Sequence, residues 1–513
     1  MSSRKTSPSA TADICLILEG TYPYVYGGVS TWVHQLLNMF PEWKFALFYL
    51  GAQRNPADKY KYTVPSNVVA IEEVYLFDNV KERSWFPSAG QGRWKPFYEA
   101  ARKLGVHPPT GDRQDLELIG QLCNHVTSHQ HLDFDTFWNS RETWEVLQEL
   151  YARYASDEGF LNFFWTTRFL VQPLWKLARA MDRMPVAKVY HTACTGYAGI
   201  AAALISARHG RPLVLTEHGI YLRERIADIC RSPWIPDQLL RRPNLNEPLG
   251  TLRSLWIGFF ALAGRLCYGQ SAAIVSLFGK NARAQEHFGA DTARISIIPN
   301  GIKTEHFEPA RRARQARRQA APGSRVVGFL GRVVSIKDVK TLLRTARKVC
   351  DQLPDATFLI AGPTNEEAGY FDECMELHQQ LELGDSVKFL GHTERDDFLP
   401  IIDVMMLTSI SEGLPFVIIE SLAAGVPVVS TDVGACSELL GGRPDESPAF
   451  GEAGLIAEIG SSDQLARHVV HILSQPAVAD AMSEAGVRRV ERWYHENAIK
   501  DAYHQLYSAH LHS

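Results

Sequence analysis

Two series of short, β-rich apolar runs pass through this 513-residue chain, each run separated from the next by a stretch with helical patterning. Strand and helix in alternation build a parallel sheet with helices on its faces. The first series reads as strands at DICLIL (13–18), KFALFYL (44–50), AKVYH (187–191), PLVLT (212–216), AAIVSL (272–277) and RISIIP (294–299). A second series restarts at RVVGFLG (325–331) and continues through ATFLIAG (356–362), SVKFLG (386–391), DVMMLT (403–408) and VPVVST (426–431). A chain this long exceeds what a single core supports. Two doubly wound, Rossmann-like α/β domains are therefore expected, over 13–304 and 325–490, with 305–324 as a polar, apolar-poor linker (EHFEPARRARQARRQAAPGS). From about 79 to 184 the strand pattern gives way to amphipathic text such as DLELIGQLCNHV and FLVQPLWKLARAM, which predicts a helical insertion in the first domain. Residues 1–12 are expected to be disordered, and 497–511 to form an amphipathic helix with Ile499, Ala502, Tyr503, Leu506 and Leu511 on its apolar side.

Composition narrows the function classes. With 45% hydrophobic and 21% charged residues and a net charge of -4, the chain reads as an ordinary soluble globular protein without the basic surplus of a nucleic-acid binder. Its eight cysteines lack CxxC spacing and read as reduced thiols. The uncharged apolar run Leu255 to Ala263 is about half the roughly 20 residues that a membrane span needs. The expected location is cytoplasmic, at most peripheral to a membrane. CNHVTSHQH supplies Cys123, His125, His129 and His131 without a second ligand cluster at zinc-like spacing, so no metal site is expected there.

Ligands of open parallel sheets bind beyond the carboxyl ends of the strands, so residues just after strands carry the weight. SISEGLPFVIIESLAAG (409–425) follows one such strand. Pro415 is expected at the first helical position, where the missing N–H does no harm. Amide donors around Gly413, Leu414, Pro415 and Phe416 would make this helix start an anion site. Two carboxylates flank it, Glu412 ahead of the helix and Glu420 among apolar neighbours, where an unpaired charge is costly. Each could equally complement the helix dipole or bond a nearby backbone group. FLGRVVSIKDVKTLL places Arg332 and Lys337 after another strand, where two cations could hold a diphosphate or sit in a solvated loop. In the first domain, Gly27 and Gly28 follow the first strand and allow close backbone approach. His218, in LTEHGIYLRER, and His191 stand at strand ends, as ligand contacts or as structural caps. No GxGxxG and no GxSxG is present, which disfavours nicotinamide or flavin binding and a serine nucleophile.

Taken together, the E-x7-E pair Glu412 and Glu420, Arg332 with Lys337, Gly27-Gly28, PNGI (299–302) and TEHG (216–219) resemble the retaining GT-B glycosyltransferases of family GT4. The text ICLILEGTYPYVYGGVSTWVHQLL and the long insertion are similar, more particularly, to the glycosyltransferases of Pel exopolysaccharide biosynthesis. The resemblance implies two domains facing across a cleft and a last segment, 491–513, that crosses back to the first domain. It implies a UDP-sugar donor (UDP-glucose ahead of a UDP-N-acetylhexosamine), a saccharide acceptor and no metal cofactor. Membrane-embedded Pel export proteins are the implied partners. On the same basis Glu420 would bind ribose hydroxyls, Glu412 the hydroxyls of the transferred sugar, and Arg332 and Lys337 the diphosphate together with amides from Gly413 to Phe416. Gly27 and Gly28 would pass close to donor phosphate and acceptor, and His218 would touch the sugar. Asp338 departs from the pattern, because many relatives carry glycine directly after the diphosphate lysine. A nucleotide-sugar-binding subunit without catalysis remains the alternative.

Overall fold

The structure, a computed structural model, describes residues 11–55, 59–78, 111–128, 134–232, 234–235 and 249–511, with Glu99 besides. It divides into two units, the first made of Met1–Ser276, Asn281–Ile297 and His504–Ser513, the second of Leu277–Lys280 and Ile298–Tyr503.

Among the described residues the first unit is built on seven strands: β1 Ala12–Glu19, β2 Phe45–Gly51, β3 Val68–Tyr75, β4 Ala187–Thr192, β5 Leu213–Glu217, β6 Ser271–Ser276 and β7 Ile295–Ile297. They lie in the order β3-β2-β1-β4-β5-β6-β7, all pairs parallel. β2 reads FALFYLG and every residue in it is buried, as a strand covered on both faces requires. The register Ile14↔Phe45 and Ile14↔Val189 stacks branched and aromatic side chains across the sheet centre. Within the predicted insertion the described residues form the helices Arg113–Ser128, Phe134–Trp138, Arg141–Tyr154 and Phe160–Ala180. Phe137, Trp138, Phe163, Phe164 and Trp175 from these helices share one core with the sheet.

The second unit carries six strands: β8 Val326–Leu330, β9 Thr357–Ala361, β10 Val387–Gly391, β11 Val404–Leu407, β12 Val428–Thr431 and β13 Gly454–Ala457. Their order, β10-β9-β8-β11-β12-β13, repeats the pattern of the first sheet, again with parallel pairs throughout. Both sheets are doubly wound, and each reverses its winding at one point, between β1 and β4 and between β8 and β11.

Two strands were not foreseen and one expectation is corrected. β3 and β13 had no counterpart among the predicted strands, since VVAIEEVY is an edge strand with two carboxylates and GLIA has only four residues. The segment 305–324, expected as a linker, contains the helix Glu308–Ala320 within the second unit. Its arginines hide an inward face: buried Arg314 donates to the carbonyls of Ile402 and Asp403 at 3.2 and 3.1 Å, and Arg317 pairs with Asp403. PNGI serves the same unit as a packing element. A Cβ on Gly301 would stand 2.6 Å from Ile499, while Ile302 N–H donates to Tyr494 O at 2.9 Å and Ile302 O accepts from Glu496 N–H at 2.8 Å. Among the described residues no helix is long and apolar enough to cross a membrane.

Candidate functional site

Beyond β8 the chain leaves the sheet through Gly331 and Arg332, makes one turn over Ser335–Lys337 and enters the helix Val339–Cys350. Asp338 joins turn to helix in a left-handed conformation, φ 46° and ψ 54°, and caps the helix by accepting from Thr341 N–H at 3.2 Å. Glycine adopts that backbone freely and aspartate tolerates it. Asp338 thus keeps the turn and adds a cap.

β11 runs beside β8, at the point where the winding reverses. The two strand-end loops are tied together: Thr408 Oγ1 donates to Lys337 O at 2.8 Å, and Ile410 N–H to Ile336 O at 2.9 Å. The Lys337 ammonium pairs with Glu412, and Ser409 Oγ donates to the same carboxylate oxygen at 2.6 Å. Gly434 closes against this loop from behind. With φ 53° it holds a backbone that favours glycine, and a Cβ there would lie 2.1 Å from Gly413 O. Ala435 N–H donates to Gly413 O at 2.9 Å, so residues 412 and 413 are pinned.

The helix that follows is Phe416–Ala423, with Pro415 as its N-cap at φ -73° and ψ 116°. Pro415 therefore stands one residue outside the helix, a correction to its expected place, and it has no N–H. The amide donors of the segment are Gly413, Leu414 and Phe416. Glu420 lies between buried Ile419 and Ser421, and its Oε1 accepts from Arg395 Nη1 at 2.7 Å. Arg395 in turn bonds Asp396 at 2.9 Å and covers the Phe307 ring with its guanidinium 4.6 Å from the centroid. Burial pushes the Glu420 carboxyl above the ordinary carboxylate range, against the pull of Arg395. A backbone group or a ligand was expected to partner this carboxylate; the structure supplies a protein cation instead. Arg395 was missed, although it opens the helix directly after β10, a strand-end position like the others.

Arg332 is exposed and pairs with Glu366 at 2.6 Å, rather than with either carboxylate of the E-x7-E pair. An exposed pair of this kind is worth at most about 1 kcal/mol, so a more strongly charged anion would displace Glu366. The structure thus joins Lys337, Glu412 and Ser409 directly, and places Glu420 with Arg395 and Arg332 with Glu366 as separate pairs.

In the first unit, Gly27 precedes the helix Gly28–Met39 in extended backbone, φ 166°, and among the described residues a Cβ at Gly27 or Gly28 would meet nothing within 4 Å. That open ground follows β1, beside the winding reversal of this sheet. His191, on β4, has both ring nitrogens engaged, Nδ1 with Tyr507 Oη at 2.6 Å and Nε2 with Thr216 Oγ1 at 2.9 Å, which is the structural reading of the two considered. His218 differs. It is 8% exposed, lies edge-on to Trp32 with centroids 4.6 Å apart, and its buried Nε2 has no hydrogen-bond partner among the described residues. Burial holds both imidazoles down at about 3, so both are neutral near pH 7. Next to His218 in the chain, buried Glu217 accepts from Tyr268 Oη at 2.7 Å, Gln285 Nε2 at 3.1 Å, Tyr221 N–H at 3.1 Å and Thr195 Oγ1 at 3.3 Å, and so fixes the TEHG segment. Of the histidine-rich stretch, Cys123 and His125 fall on the helix Arg113–Ser128, while His129 and His131 lie outside the described residues.

Residues 12–293 match the family model described as Domain of unknown function (DUF3492), and residues 311–489 match the model described as Glycosyl transferases group 1. Among curated proteins, the D-inositol 3-phosphate glycosyltransferase of Rhodococcus jostii is 27% identical over 218 residues, which are 41% of this chain and 46% of that protein. That of Corynebacterium urealyticum is 27% identical over 237 residues, 44% and 54% of the two chains. The chain spans about half the length of these relatives. Among solved structures, HepE from Anabaena in complex with UDP superposes with a TM-score of 0.59 at 15% identity, over 97% of this chain and 100% of that one. Sucrose-phosphate synthase from Thermosynechococcus elongatus gives 0.58 at 15% identity, over 97% and 98%. Likeness at such identity establishes the fold, that of the GT-B class with two Rossmann-like domains.

Proposed function

The chain belongs to the family described as a domain of unknown function (DUF3492), whose model spans residues 12–293; from that footing we propose that it is a glycosyltransferase moving a hexose from a UDP-sugar, UDP-glucose before a UDP-N-acetylhexosamine, to a growing exopolysaccharide of the Pel type. The observation that carries this proposal is the Lys337–Glu412 pair, braced by Ser409, at the winding reversal of the second sheet. A cation and a carboxylate that satisfy each other in the resting protein are the two groups a nucleotide sugar needs there, one for the diphosphate and one for the sugar hydroxyls. The match of residues 311–489 to group 1 glycosyl transferases, and the UDP complex of HepE, support a nucleotide-sugar donor.

On this proposal an acceptor hydroxyl oxygen attacks the anomeric carbon from the face that the diphosphate leaves. The bond from that carbon to the phosphate oxygen breaks, the acceptor proton passes to the departing phosphate, and configuration is retained. Lys337 and Arg332 take up the charge that develops on the leaving diphosphate. Glu412, released from Lys337, accepts from sugar hydroxyls; Glu420, oriented by Arg395, accepts from ribose hydroxyls. Gly413, Leu414 and Phe416 donate amides, with Pro415 fixing the turn. Gly27 and Gly28 leave room for the acceptor side, and His218 Nε2, without a partner among the described residues, is available to a sugar hydroxyl. Two side-chain cations stand where a metal would otherwise neutralise phosphate, so the proposal calls for no metal cofactor. Resemblance to PelF adds a cytoplasmic setting, peripheral to a membrane, with membrane-embedded Pel export proteins as partners.

Incubation with radiolabelled UDP-glucose, UDP-N-acetylglucosamine and UDP-N-acetylgalactosamine tests it. Release of free UDP with label moved to a saccharide is expected, UDP-glucose being the best donor. Binding of nucleotide sugar without release of UDP would make the chain a binding subunit instead.

A further inference from the structure

Tyrosine is concentrated around one edge of the first unit: Tyr22, Tyr24 and Tyr26 between β1 and the helix Gly28–Met39, Tyr60 and Tyr62 between β2 and β3, and Tyr75 on β3. The two loops are joined by Lys61 N–H donating to Pro23 O at 2.8 Å. Glu73 of β3 gathers three hydroxyls. Its Oε1 accepts from Tyr24 at 2.6 Å and from Tyr60 at 3.0 Å, and its Oε2 accepts from Tyr75 at 3.1 Å. The rings also brace one another: Tyr24 and Tyr60 meet edge-on at 5.1 Å, Tyr26 and Tyr62 at 5.3 Å, and Tyr22 and Tyr62 lie 5.2 Å apart. Arg54 covers Tyr75 at 4.9 Å.

A cluster that served only the core would bury its rings, as Tyr22 is buried. Tyr26 instead is 66% exposed, Tyr60 45% and Val25 49%. The outer rings are thus held in place by a carboxylate and by other rings, yet turned to solvent. Rigid aromatic groups of this sort lose little conformational freedom on binding. We propose that this tyrosine face binds a saccharide chain, with pyranose rings laid against Tyr26 and Tyr60. A pyranose offers a face of C–H groups, which suits the negative face of an aromatic ring, and a rim of hydroxyls. Around the tyrosines, Glu73 and the phenolic oxygens present acceptors to that rim, and Arg54 presents donors. Location favours the same occupant, because Tyr26 immediately precedes Gly27 and the open ground there. The assignment rests on the glycosyltransferase reading and adds to it the surface that would carry the acceptor.

Calorimetric titration of the full chain with maltohexaose, cellohexaose and chitohexaose, in the absence of donor, tests the assignment. At least one hexaose should bind the wild type, Tyr26→Ala should weaken it on the order of tenfold, and Tyr26→Ala/Tyr60→Ala further. Tyr26→Phe should retain affinity, since its ring is kept. Tyr26 is exposed, so Tyr26→Ala should melt with the wild type; Tyr60→Ala also removes a donor to Glu73, so the double variant's melting temperature is read beside its affinity. UDP binding should be unchanged in every variant, which separates this surface from the donor site: failure of the wild type to bind UDP would sink the donor assignment alone. Failure of all three hexaoses to bind, or equal affinity in the double variant, would overturn the tyrosine assignment.

Discussion

Lys337 carries the heaviest demand of any residue. Its ammonium is largely buried against Glu412 and, on the proposed function, exchanges that partner for a diphosphate. Lys337→Ala should cut turnover roughly 10²–10³-fold, on the scale of losing one preorganised donor to developing charge, with the melting temperature little changed. A folded variant that turns over at the wild-type rate would remove Lys337 from the chemistry. Arg395 makes a different prediction, because it acts through Glu420. Arg395→Ala leaves that carboxylate buried without its cation, and burial alone then raises its pKa further. UDP affinity should fall on the order of tenfold while turnover at saturating donor changes little; calorimetry beside steady-state kinetics checks the split. Residue-scale legibility followed chemistry that is local in sequence. Glu412, Arg332 and Lys337 follow strand ends and Glu420 lies within the helix Phe416–Ala423; spacing alone left each with a structural alternative, and the family resemblance singled them out. That Glu420 meets Arg395, 25 positions earlier, depends on how β10 and β11 are ordered in the sheet, which no local pattern encodes.

Among elements, the Gly27–Gly28 turn is the one whose openness matters. Among the described residues nothing fills the space where a Cβ would go, so Gly27→Ala should cost the fold little. If that space serves a ligand, the same substitution should raise the acceptor KM several-fold; equal kinetics with equal stability would show the opening to be idle. The helix Pro476–Trp493 offers a stability counterpart. Arg489 is fully buried, bonds Glu446 at 2.8 and 2.9 Å, and donates to the carbonyls of Leu439, Leu440 and Gly451. Arg489→Met strands Glu446 in the interior and should cost about 3–5 kcal/mol, read as a shift in denaturant midpoint. Elements with strong periodicity were legible: the eleven strands read from apolar runs recur, most with ends within a residue or two. β3 escaped because an edge strand tolerates carboxylates, and the helix Glu308–Ala320 because its inward face is lined by Ala310 and Arg314, which reads as polar until Asp403 is seen beneath it.

At the scale of the whole molecule, the chain repeats one plan twice: a doubly wound parallel sheet whose loops at the winding reversal carry the side chains of interest. The duplicated run of strands made that plan readable, whereas the pairing of side chains at each reversal was not. Acid should reveal the buried histidines of the first sheet. His191 and His218 titrate near 3 in the fold and near 6.5 when unfolded, so the folded state binds fewer protons between those values. Their stabilising contribution is complete above about pH 6.5 and is lost as pH falls towards 3, by up to about 1.4 kcal/mol per pH unit for each histidine. Glu217 and Glu420, both raised by burial, tilt the curve the other way from pH 4.5 upward. His191→Gln should therefore flatten the acid limb of stability against pH, as measured by urea unfolding between pH 4 and 7. An unchanged slope would mean that His191 is protonated in the fold. The most direct measurement on the central claim is a crystal structure of the full chain with UDP bound. It should place the diphosphate within hydrogen-bond distance of Lys337 Nζ and the Arg332 guanidinium, with ribose hydroxyls on Glu420. UDP seated elsewhere, with the Lys337–Glu412 pair intact, would contradict the account.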